Sequence, residues 1–158
     1  MGIRIASIYV WQGKAYVPTN GRVVGGGAFV AIDPILEAEL QKDQLLGAIK
    51  SVLALGHPPL PDRSRREWDQ QVSPILAATG ARSWSELYRR GLVYTIEWGP
   101  DGVFLEFPRR APKGGWISDR EKRRQFAPDV DLGDIVDVIL QDVEAGPPSK
   151  KKPSRKPD

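Results

Sequence analysis

The spacing of apolar residues changes period along this chain, and that limits it to a fold of mixed strands and helices. Residues 3–10, IRIASIYV, set Ile3, Ile5, Ile8 and Val10 among small or polar neighbours, which is strand periodicity. Gln12-Gly13 then suits a tight turn into Ala15–Val17, so a β-hairpin opens the chain. Val23-Val24, a triple glycine at 25–27 and residues 28–32 predict a third, bent strand. Ile35–Leu40 suggests a fourth, with 34–41 left open between strand and helix.

The period becomes helical after Asp43, an expected N-cap, where Leu45, Ile49, Val52 and Leu53 recur on one face and Gly56 stands at the C-terminal stop. Prolines in 57–62, HPPLPD, break the chain, and the polar 64–71 reads as an exposed excursion. Ser73-Pro74 predicts a helical turn to Gly80, and Ser83 with Glu86 forms a capping box opening a second short helix to Gly91. Residues 92–98 and 103–107 alternate about a Gly-Pro-Asp-Gly turn, predicting a second hairpin. Residues 108–128 read as a long surface loop. Asp131 then caps a helix over 132–145 with Leu132, Ile135, Val136, Ile139 and Val143 inward.

The fold class expected is therefore α+β, a mostly antiparallel sheet of five to six strands packed on two longer helices and one or two short ones. A chain of 158 residues suits one domain, residues 1–146, followed by a basic tail at 147–158 that has nothing to bury and is expected to be disordered. The tail holds five cations and one acid; without them, 18 basic and 19 acidic residues remain, so the pI near 9.3 belongs to the tail.

Chemistry is limited by what is missing from the composition. With no cysteine and a single histidine, His57, the usual zinc ligand sets and thiol nucleophiles are excluded, and no serine lies in a G-x-S-x-G setting. His57, before two prolines, reads as a capping or surface imidazole. The glycines at 21–27 match neither a P-loop nor a full dinucleotide fingerprint. We expect no enzyme activity, no cofactor, no metal site, no small-molecule substrate and no membrane contact; the absence of cysteine and of a signal-like N-terminus makes the reducing cytoplasm the expected compartment.

Two charged blocks remain. Arg109, Arg110, Lys113, Arg120, Lys122, Arg123 and Arg124 surround Trp116, an arrangement that can contact phosphates and stack on a base. Asp129, Asp131, Asp134, Asp137, Asp142 and Glu144 follow with no cation among them, so one flank of the last helix is expected to present a strip of carboxylates that imitates a phosphate ladder. Their spacing fails the EF-hand pattern.

Residues 7–19, SIYVWQGKAYVPT, with Pro58–Pro61, Arg82-Ser83-Trp84 and Arg90-Gly91, resemble small bacterial immunity proteins of contact-dependent growth inhibition systems, over about residues 5–98. The resemblance implies a non-catalytic protein that binds and blocks the C-terminal toxin domain of an effector delivered by a neighbouring cell, often a nuclease. On that reading the carboxylates Asp129, Asp131, Asp134, Asp137, Asp142 and Glu144 bind the partner, with Glu97 and Glu106 as sheet-borne additions. The alternative is a nucleic-acid-associated protein using Arg109, Arg110, Trp116, Arg123, Arg124 and the lysine-rich tail.

Overall fold

The computed structural model describes residues 3–64, 66–67, 73–110 and 115–146. The tail and most of the 64–71 excursion lie outside the described residues. Strands β1 (Arg4–Trp11) and β2 (Lys14–Val23) form the first hairpin, with Gln12 and Gly13 both at positive φ in the turn. The expected bent third strand is not continuous: Val23 ends β2 and the triple glycine lies in the turn after it, while residues 29–32 run on through the expected fourth strand as β3 (Phe29–Glu39), paired antiparallel with β2 along its length. The register shifts between Pro18 and Thr19, opposite Pro34, where two prolines without backbone N–H groups interrupt the ladder.

Helix α1 (Lys42–Leu55) follows, and then β4 (Pro59–Leu60), a two-residue strand parallel to the end of β2. Helices α2 (Pro74–Thr79) and α3 (Trp84–Arg90) are short, and each begins at a serine whose hydroxyl accepts a backbone N–H three residues on. Strands β5 (Leu92–Gly99) and β6 (Gly102–Glu106) make the second hairpin. The expected loop at 108–128 instead contains β7 (Pro108–Arg110), β8 (Trp116–Ser118) and β9 (Arg124–Phe126). Strand β9 extends the main sheet beside β6, and β7 pairs with β8 as a separate ribbon. Helix α4 (Leu132–Ala145) ends the described chain.

The main sheet has seven strands, ordered β3-β2-β1-β5-β6-β9 with β4 beside β2. Its alternation sorts side chains into two cores. Ala6, Ile8 and Val10 of β1 join Tyr94 and Ile96 of β5 under α1 and α4, which contribute Leu45, Ile49, Ile135 and Ile139. Trp11 and Tyr16 point to the other face and pack with Ile75 of α2 and Leu87 of α3. A one-residue slip would exchange these two sets, so burial on both faces fixes the register.

His57 closes a gap in this sheet. The pairing of β1 with β2 stops at Tyr9 and Tyr16, and farther along the strands the imidazole stands between them. The Ile5 N–H donates to Nε2 at 3.2 Å, so the proton sits on Nδ1 and is donated to the Asn20 carbonyl at 2.8 Å. His57 is thus a structural bridge, neither a cap nor a free surface ring.

Candidate functional site

The carboxylates of α4 do not form one strip. At 100° per residue, Asp134, Asp137 and Glu144 fall within roughly 80° of one another, while Asp142 lies roughly 140° round from Asp137. The two sets meet different neighbours. Asp137 accepts from Lys42 Nζ of α1 at 2.9 Å, and Asp131 and Asp134 add to the field that raises the Lys42 ammonium above its ordinary value. On the opposite flank Asp142 accepts the hydroxyl of Tyr94 at 2.6 Å and pairs with Lys122. Burial, together with that hydrogen bond, pushes the Tyr94 phenol far above its ordinary range.

Asp142 therefore belongs to the internal architecture: its side chain is 17% exposed and holds a core tyrosine. Asp129, Asp131, Asp134 and Glu144 are exposed and Asp137 is partly so. Asp131 has the backbone conformation of an N-cap but makes no capping hydrogen bond; Gln41, not Asp43, occupies the N-cap of α1. Of the sheet-borne acids, Glu106 is engaged by Ser118 and Arg123, and Glu97 lies at a half-buried position paired across to Phe104.

Two cations of the basic block fold back onto the domain, while Arg120 is exposed and Lys113 lies outside the described residues. Lys122 lies over the Phe107 ring at 5.0 Å while it pairs with Asp142, and Arg123 lies 4.2 Å over Phe104 while it pairs with Glu106. Trp116 is no free stacking platform. Its ring meets Tyr88 edge-on at 4.7 Å and Tyr9 at 6.3 Å, within the second core, and its Nε1 is buried without a partner. Arg109 and Arg124 remain exposed on β7 and β9; the side chain of Arg110 lies outside the described residues. Between β9 and α4 an open groove of about 520 Å³ is lined by Lys122, Arg123, Arg124, Gln141 and Asp142.

Among the described residues no three carboxylate or imidazole groups converge to hold a metal ion, and no helix is long and apolar enough to cross a membrane. A second hollow, of about 380 Å³, escaped the sequence reading altogether. It is lined by Arg4, Lys50, Leu53, Ala54, Trp98 and Leu132, which come from both hairpins and both long helices. Arg4 stacks on the Trp98 ring at 5.3 Å, because antiparallel pairing sets the two residues opposite each other on β1 and β5.

No protein-family model matches the sequence, and no curated protein matches it. Solved structures do. A chain of a CdiA-CT/CdiI toxin and immunity complex from Yersinia pseudotuberculosis superposes with a TM-score of 0.62 at 15% identity, over 89% of this chain and 95% of that one. A protein of unknown function from Neisseria meningitidis gives 0.63 at 12% identity, over 88% and 93%. What is shared is the fold. It covers 88–89% of this chain, more than the part over which the sequence resemblance runs.

Proposed function

We propose that this chain is an immunity protein that binds and neutralises the C-terminal toxin domain of a contact-dependent growth inhibition effector, and that it does so without catalysis. The observation that carries the reading is the common architecture with a chain from a toxin and immunity complex, matched nearly end to end. The side chains agree with it. The only histidine has both ring nitrogens committed to strand backbone, which leaves no imidazole for acid–base chemistry. The exposed Asp129, Asp131, Asp134 and Glu144, with Asp137 beside them, supply fixed negative charge suited to steering a basic partner.

The experiment is co-expression with the C-terminal domain of any large exoprotein encoded beside this chain, followed by purification of the pair. Restored growth and a stoichiometric complex on size-exclusion chromatography are the expected results. Growth that stays arrested, with this protein eluting alone or only with nucleic acid, overturns the reading in favour of the basic-loop alternative.

A further inference from the structure

The carboxylate flank of α4 presents Asp134, Asp137, Gln141 and Glu144, with no apolar side chain among them to anchor a partner. Exposed charge of this kind speeds encounter, but affinity at protein interfaces comes mainly from a desolvated apolar centre in which Trp and Arg are enriched. The hollow lined by Leu53, Trp98 and Leu132 is such a centre. At about 100° per residue Leu132 lies on the side of α4 away from Asp134, Asp137 and Glu144, so the hollow is a surface separate from the acidic flank.

Charge at the hollow defines what it accepts. Arg4 and Lys50 are exposed, and among the described residues neither forms an ion pair, although Lys14, Lys42, Lys122 and Arg123 all do. Arg4 is already held by the face of Trp98, which reduces the side-chain entropy lost when it engages a carboxylate.

We infer that this hollow is the anchoring surface for the toxin domain, and that it takes an apolar side chain of the partner flanked by a carboxylate. The apolar group fills the space over Leu53 and Leu132, and the carboxylate reaches Arg4 and Lys50. The inference rests on the toxin-binding reading.

The test is isothermal titration calorimetry of the purified toxin domain against the full chain and the double variant Arg4→Glu with Lys50→Glu. Both cations are exposed and the variant loses only the Arg4–Trp98 stacking contact, so it should still fold; if it does not, Arg4→Gln with Lys50→Gln takes its place. We expect the cation variant to bind about tenfold or more weakly, as for the loss of a central contact. A compensating acid→Lys change on the toxin should restore it. Unchanged affinity in a folded cation variant overturns the anchoring surface and leaves the immunity reading standing. Absence of binding by the wild-type protein overturns both, as does capture of a single-stranded RNA oligonucleotide in place of the toxin domain.

Discussion

Replacing Asp142 by Ala tests whether this carboxylate serves the fold or the surface. Tyr94 is fully buried, and Asp142 is the acceptor of its hydroxyl at 2.6 Å. Without that acceptor a buried donor is stranded, at a cost of about 1–3 kcal/mol. The lost pair with Lys122 adds less than about 1 kcal/mol, because that ammonium is 38% exposed. Water entering from the adjoining groove limits the total, so a loss of about 2 kcal/mol is expected. For a domain of this size that lowers the melting temperature by roughly 4–8 °C. Urea and thermal unfolding followed by circular dichroism measure it. Tyr94→Phe removes the same hydrogen bond from its other end, so the double variant should be less destabilised than the sum of the singles by about 1 kcal/mol. Strict additivity, or an Asp142→Ala protein within about 0.5 kcal/mol of wild type, would show that the Tyr94–Asp142 bond contributes nothing and would return Asp142 to the candidate binding surface. Asp134→Ala removes an exposed carboxylate with no side-chain hydrogen bond among the described residues and should cost less than about 1 kcal/mol, the contribution of an acid in the first turn of a helix.

His57→Ala strands the Ile5 N–H and the Asn20 carbonyl and removes the edge contact with Phe29 at 4.8 Å, so a loss of about 2–3 kcal/mol is expected in urea unfolding. Hydrogen exchange should show the Ile5 amide opening first. Gly102→Ala should cost about 1–3 kcal/mol, since φ is +134° and an added Cβ would sit 2.6 Å from the Phe126 carbonyl, forcing β6 and β9 apart. Burial pushes the Tyr9 phenol up to about 12, so the fold favours its neutral form. The stability it contributes is complete below its ordinary value of 10 and is lost as pH rises through about 12. Tyr9→Phe should flatten the alkaline limb of stability against pH, and an unaltered limb would refute the assignment.

The sequence by itself determined the elements whose stabilising contacts are local. Both hairpins, both long helices and the serine-capped α2 and α3 were legible because alternation, helical spacing and capping hydrogen bonds involve residues a few positions apart. Tertiary structure decided whatever depends on residues distant along the chain. The triple glycine suggested a kink within one bent strand, yet it lies between β2 and β3, and pairing with β2 carries β3 on through Pro34 into the stretch read as a fourth strand. The charged, proline-rich 108–128 gave no strand period, and only the neighbouring backbone of β6 makes β9 a strand. His57 looked peripheral because Ile5, which it bridges, lies 52 residues away. The six carboxylates of residues 129–144 looked alike in composition, and it took Lys42, 95 residues from Asp137, and Tyr94, 48 from Asp142, to divide them between exposed flank and internal support. The hollow at Arg4, Lys50, Trp98 and Leu132 left no trace in the sequence, because two hairpins and two helices must meet before their side chains share one surface.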